Sequence, residues 1–178
     1  MQTSTATTNV EEFLRLPEPR EGHLELHHGE VVLMPPPKIG HQRLQWRIAA
    51  ILSKLTTDIV GVEMAFRPAA DYEVWQADVG LVSLERNAAT RDDEYLIGAP
   101  ELVVEVLSPS NTVDEINEKM NVCLSNGCKS FWTVDPKLTL VSVTGNDEIT
   151  RRYRGSSSIP CSFLNANVLV SDIFLERL

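Results

Sequence analysis

Two apolar runs, each carrying a single carboxylate, constrain this chain more than anything else in it. Val74-Trp-Gln-Ala-Asp-Val-Gly-Leu-Val82 and Leu102-Val-Val-Glu-Val-Leu107 have strand length and strand composition, and Ser108-Pro109-Ser110 stops the second. A charge inside a buried strand is costly unless it is paired or bound to a cation. The chain must therefore build a sheet and must also compensate Asp78 and Glu105.

The remaining punctuation fixes the order of elements. A short helix is expected near Val10–Leu16. Leu24–His27 and Glu30–Met34 flank His28-Gly29, a tight-hairpin sequence. Pro35-Pro36-Pro37 then forbids regular structure before a helix over His41–Leu55, where Leu44, Ile48, Ile51, Leu52 and Leu55 share one face. Strands are predicted at Val60–Arg67 and Val74–Val82, joined through Pro-Ala-Ala-Asp, and a loop or short helix over Arg86–Gly98. After the Leu102–Leu107 strand, Asp114 is expected to cap a helix ending at Asn126, with Gly127 as its stop. Ser130–Val134, Leu138–Thr144 and Ile149–Tyr153 complete the strands. Interleaved strands and helices of this kind predict an α/β fold, a mixed β-sheet flanked by helices.

A length of 178 residues favours one domain. Residues 1–9 read as a flexible N-terminal tail and residues 10–178 as a single domain. No run of about eighteen apolar residues occurs, so no membrane contact is expected. The opening residues lack the basic start and apolar stretch of a signal peptide. Cys123, Cys128 and Cys161 match no zinc spacing and are expected to be reduced, buried thiols of a cytoplasmic protein. The net charge of -9 works against nucleic-acid binding, which draws most of its affinity from neutralised phosphates. Arg151, Arg152 and Arg154 form the one dense basic cluster.

Strand alternation puts Gln76, Asp78 and Gly80 on one face and Trp75, Ala77, Val79 and Leu81 on the other. If the two carboxylate-bearing strands are neighbours, Asp78 and Glu105 can point from a common face, where oxygen ligands would suit Mg²⁺ or Mn²⁺. The competing reading leaves each acid solvated or paired with an arginine. Lys119, bordering the apolar face of the next helix, could reach these carboxylates and act on a phosphodiester. On the residues alone, a surface pair with Glu115 one turn away is the favoured account. His23, His27, His28 and His41 read as surface or hydrogen-bonding residues rather than a zinc set.

The ordered motifs resemble the Uma-type restriction endonuclease family, a branch of the PD-(D/E)XK nuclease superfamily. The resemblance runs from about Val10 to the C-terminus. It includes Glu25-Leu-His-His-Gly-Glu, Met34-Pro-Pro-Pro with His41, Ala77-Asp78-Val, Pro100-Glu-Leu-Val-Val-Glu-Val-Leu-Ser-Pro-Ser110, Glu118-Lys119, and Gly127 through Trp132-Thr-Val-Asp-Pro136. It implies a restriction-endonuclease-like sheet with an added N-terminal β-hairpin. It assigns Asp78 and Glu105 as metal ligands with the Val106 carbonyl as a third, Lys119 as the catalytic lysine moved onto the following helix, and Glu25 as an acid completing the metal shell. The implied chemistry is Mg²⁺-dependent (or Mn²⁺-dependent) attack of water on a phosphodiester of DNA, without a covalent intermediate. Cutting both strands of a duplex would favour a homodimer.

Three residues depart from the pattern. Ala77 stands in place of the proline before Asp78, Leu107 occupies the superfamily's usual lysine position, and Cys123 takes the place of a tyrosine. Glu101, Asp114, Glu115 and Glu118 are expected to repel DNA. The alternative to an endonuclease is therefore a nuclease-fold module of little turnover that binds metal, nucleic acid or a protein partner.

Overall fold

The structure, a computed structural model, describes residues 7–68 and 71–175. Part of the expected tail and half of the Pro-Ala-Ala-Asp link lie outside those residues. Helix α1 (Val10–Phe13) is closed by a capping box between Asn9 and Glu12. Strands β1 (His23–His27) and β2 (Glu30–Met34) form the expected hairpin. At its turn, His28 (φ 52°) and Gly29 (φ 78°) both take the positive φ that a two-residue hairpin turn requires. Helix α2 spans Ile39–Leu52, starting two residues before the prediction and ending three short of it. Strands β3 (Ile59–Arg67) and β4 (Trp75–Val82) follow. The polar stretch beyond them holds helix α3 (Leu84–Ala89) and the two-residue strand β5 (Leu96–Ile97).

Strand β6 (Leu102–Val106) leads to helix α4 (Val113–Ser125). The cap of α4 is Thr112, not Asp114: the Thr112 hydroxyl accepts from Glu115 N and the Glu115 carboxylate accepts from Thr112 N. Thr112 fits because Glu115 lies three residues on, where a reciprocal box closes. Strands β7 (Ser130–Asp135), β8 (Leu140–Gly145) and β9 (Thr150–Arg154) complete the main sheet. No pattern in the sequence announces the last elements, β10 (Ser158–Cys161), β11 (Ala166–Leu169) and α5 (Val170–Ile173).

The main sheet has seven strands in the order β5-β3-β4-β6-β7-β8-β9. It is mixed: β3 with β5 and β6 with β7 run parallel, and the other pairs run antiparallel. One face packs against α2, β10, β11 and α5, in a cluster containing Ile48, Leu52, Val79, Leu81, Leu102, Val104, Trp132 and Ile173. The other face packs against α4 through Phe66, Trp75, Ala77, Val103, Cys123 and Phe131. The N-terminal hairpin attaches separately, through the Leu26–Val74 bridge and a cluster with Val10 and Phe13.

One expectation of strict alternation fails. Val79 and Leu81 pack on the α2 side, whereas Trp75 and Ala77 pack on the α4 side. The adjoining strand changes sides in step, with Val60 and Val62 toward α2 but Met64 and Phe66 toward α4. The slip centres on Glu63, whose φ of 51° breaks the pleat, and Glu63 faces Asp78 at the one unpaired step of the β3–β4 register. A local kink of this sort re-aims a side chain without ending the strand.

Candidate active site

The paired register of β4 and β6 runs Leu81↔Leu102, Gly80↔Val103 and Val79↔Val104, so the next step sets Asp78 opposite Glu105. There the ladder stops. Instead of backbone pairing, the Asp78 carboxylate accepts the Val106 N–H on Oδ2 at 2.6 Å. Its Oδ1 accepts from His41 Nε2 at 2.8 Å and from the buried Gln45 Nε2 at 2.9 Å, both on α2. Burial works to lower the His41 pKa, but the hydrogen bond and charge of Asp78, with Glu105 and Glu63 adding, leave it raised.

Glu105 points to the α4 side, into the reach of Lys119. The Lys119 ammonium lies 2.9 Å from Glu105 Oε1 and donates to the Gln76 carbonyl at 2.7 Å. It sits off the line of a hydrogen bond to Oε1, so this buried oxygen has an ion-pair partner but no aligned donor. Burial, then the nearby Asp78 and Glu25 charges, push the Glu105 carboxyl up to about 8 against the pull of Lys119. Burial opposes the charge on Lys119, yet Glu105, Glu25 and Asp78 together raise its pKa. The rival pairing with Glu115 does not form, because the Glu115 carboxylate is taken by the helix cap.

Glu25 is 4 % exposed and accepts from His23 at 3.1 Å and His27 at 2.8 Å, one on each oxygen. Burial would raise its carboxyl, but those two hydrogen bonds and the Lys119 charge hold it down at about 2. His27 stacks on Trp75, with ring centroids 5.4 Å apart, which steadies this side of the cluster. A cleft of about 400 Å³ opens beside Glu25 and Gln76, walled by Phe13, Leu24, Trp75 and Tyr95. His28 lies at the hairpin turn and bridges Glu73 and Glu118, clipping the hairpin to α4.

The sequence-predicted residues Asp78, Glu105, Lys119 and Glu25 are thus brought within mutual electrostatic reach, and the Val106 backbone touches Asp78 directly. Of the acids expected to repel DNA, Glu101 pairs with Arg86 at 3.1 Å and Glu118 meets His28, whereas the hydrogen bonds of the α4 cap hold the Glu115 carboxyl low and charged. Among the described residues, no three His, Cys, Asp or Glu side chains converge as a ready cage for a metal. Mg²⁺ needs no such cage, being held by one or two carboxylates and several waters. Asp78 beside Glu105, with a buried carboxylate oxygen short of an aligned donor, fits that requirement.

Sequence reasoning missed Gln45 and Glu63. Gln45 sits four residues after His41, so both reach Asp78 from one helix face. A buried amide on an otherwise apolar helix stripe was the available signal. Glu63 left none, since a positive φ at glutamate is not written in local sequence.

A solved structure shares this architecture. The crystal structure of a putative nuclease belonging to DUF820 from Anabaena variabilis superposes with a TM-score of 0.79 at 20% identity, over 93% of this chain and 97% of that one. At that identity the likeness speaks to the fold, a restriction-endonuclease-like mixed sheet with an N-terminal hairpin. None of the curated proteins matches the chain. A family model does, over residues 10–168, carrying Glu25, Asp78, Glu105 and Lys119 within one match. The chain belongs to the Uma2 family, described as "putative restriction endonuclease".

Proposed function

We propose that this protein is an endonuclease that hydrolyses phosphodiester bonds in DNA with Mg²⁺ or Mn²⁺, held by Asp78, Glu105 and the Val106 carbonyl. The observation that carries the reading is the convergence of Asp78, Glu105 and Lys119 where the β4–β6 ladder stops. When bound, the cation would polarise the phosphate and lower the pKa of a water. The chain's own residues supply the rest. Lys119, fixed by the Gln76 carbonyl, places a positive charge where charge builds on the phosphate. His41 and Gln45 orient Asp78, as hydrogen-bonding partners behind a metal ligand do. Glu25, itself held by His23 and His27, helps keep Lys119 charged.

Residues 10–178 are read as one domain preceded by a short tail. Two copies about a two-fold axis would let each cut one strand of a duplex. No described helix is long and apolar enough to cross a membrane. The free, buried Cys123, Cys128 and Cys161 suit the reducing cytoplasm, where we place the protein.

A second reading, a nuclease-fold module that binds without cutting, is favoured by Leu107 at the usual lysine position and by Cys123, a buried thiol one turn from Lys119 that offers no hydroxyl to the site. The test incubates wild type, Asp78→Ala and Lys119→Ala with duplex DNA, single-stranded DNA and RNA in Mg²⁺ or Mn²⁺. Cleavage by wild type that falls roughly 10²-fold or more in both variants supports the endonuclease, since one stabilising charge removed from a phosphoryl or acyl site costs about that much. Equal cleavage by all three proteins overturns it. No cleavage of any substrate, with metal binding lost in Asp78→Ala, selects the binding module.

A further inference from the structure

The strand registers carry a row of side chains outward from the site. Glu105 pairs with Thr133, Thr133 with Ser142, and Ser142 with Arg152. Residues two apart on a strand share a face, so Arg154 lies on the same side as Arg152. Thr133 and Ser142 are half-buried, while Arg152 and Arg154 are exposed. This is the α4 face of the sheet, yet the apolar cluster beneath α4 stops at Phe131 of β7 and takes in no residue of β8 or β9. The neighbouring row on the opposite face, Val104, Trp132, Val143 and Arg151, is apolar up to its arginine.

The three arginines are not equivalent. Arg151 donates to Asp147 at 2.7 Å and is neutralised locally. Among the described residues, neither Arg152 nor Arg154 has a carboxylate within ion-pairing distance. An acidic chain thus leaves two uncompensated guanidinium groups in line with Glu105, with hydroxyl side chains between them. Three inter-strand steps of ~4.8 Å put Arg152 about 14 Å from the Glu105 row position. That matches about four nucleotides of a B-form strand at 3.4 Å rise each.

We propose that this polar row is the track on which the sugar–phosphate backbone of a nucleic-acid strand lies as it approaches Asp78 and Glu105, with Arg152 and Arg154 binding its phosphates. The inference rests on the endonuclease reading and adds the path of the substrate. Basic residues on an edge strand also deter edge-to-edge sheet pairing. That role is served by charge of either sign and does not require the residues to fall in register with the site.

The test measures binding of a labelled 20-base-pair DNA and of its single strand by fluorescence anisotropy, in Ca²⁺, across a salt series. The proteins are wild type, Arg152→Ala/Arg154→Ala, Arg152→Glu/Arg154→Glu, and Arg151→Ala as the opposite-face control. Removing two phosphate-neutralising cations from a B-DNA complex should reduce the slope of log K against log[salt] by roughly 1.8, equivalent to about 60-fold weaker binding at 0.1 M salt. The Glu pair should weaken it further, and Arg151→Ala should change it less than about twofold. Thermal melts matching wild type show that the sheet edge is intact, and the Ala pair serves if the Glu pair melts early. Unchanged affinity and slope in both double variants, in a protein that still cleaves, overturn the track but leave the endonuclease standing. Equal weakening from all three arginine sites also overturns it, since the effect would be surface-wide. A wild type that neither binds nor cleaves any nucleic acid overturns both.

Discussion

The two ends of one short ladder behave oppositely. At one end of the β4–β6 pairing, Leu81 and Leu102 face each other within the apolar cluster under α2, at 1% and 0% exposure. Three steps along, the same register brings Asp78 against Glu105, two carboxyl groups whose joint ionisation disfavours a sheet. The strands answer by ceasing to pair, and Asp78 takes the Val106 N–H for itself while Glu105 turns to Lys119. Burial at the first end stabilises an arrangement at the second that would not form alone. The apolar and the charged pair thus lie at opposite ends of a single strand pairing, and substitution at one end tests whether the other depends on it.

The largest expected effect comes from the apolar end. Leu102→Ala should cost about 2–5 kcal/mol of unfolding free energy, the range for a fully buried leucine truncated in a core. Denaturant titration reads that change, and cleavage per folded molecule should stay near wild type. Turnover falling well beyond the unfolded fraction would show that the two ends are one cooperative unit.

A smaller effect is expected where α2 meets the carboxylates. His41→Ala removes one of two side-chain donors to Asp78 Oδ1 while Gln45 remains. Truncating a hydrogen-bonding partner of a metal ligand typically weakens metal affinity by about 10–100-fold. Isothermal titration with Mn²⁺ measures it. An affinity within a factor of about two of wild type would mean that Gln45 and Val106 N–H orient Asp78 without help.

Those two ends were not equally legible in the sequence. The apolar end follows from strand-length runs bounded by Pro and Ser, and so do most elements of the main sheet. Asp78 and Glu105 stood out because charge inside such runs demands compensation. The family resemblance then pointed to Lys119 and Glu25, although spacing alone favours a surface pair with Glu115 for Lys119. The pleat slip at Glu63 stayed hidden because alternation assumes an unbroken strand, and one residue with positive φ moves the flanking side chains across the sheet. The terminal β10, β11 and α5 were missed because each has four residues, too few for a period to emerge, and Pro160 argues locally against a strand. The pairing of His41 and Gln45 with Asp78 joins residues 37 and 33 positions apart, an arrangement fixed by packing rather than by neighbours in the chain.

The effect most diagnostic of the charged end lies in pH. Burial, with Asp78 and Glu25 nearby, raises the Glu105 carboxyl from 4.5 to about 8, so the folded chain holds a proton there that the unfolded chain has released. The stability this group contributes is fully present below about 4.5 and is lost as pH rises through about 8. In the proposed metal site a divalent cation would compete with that same proton, so its affinity should climb about tenfold per pH unit between about 6 and 8 and level off above. Glu25 cannot produce this trend: its carboxyl is held at about 2, so its contribution is present above 4.5 and fades only as pH falls toward 2. His41 acts in the same window but on stability, its contribution present below about 6.5 and lost as pH rises through its elevated value. Metal titrations at pH 6, 7 and 8 separate these groups, because Glu105→Gln should bind metal more weakly and with a flat pH profile. An affinity in wild type that does not change across that range would mean that Lys119 keeps Glu105 ionised throughout, and the charged end of the ladder would then be compensated before any cation arrives.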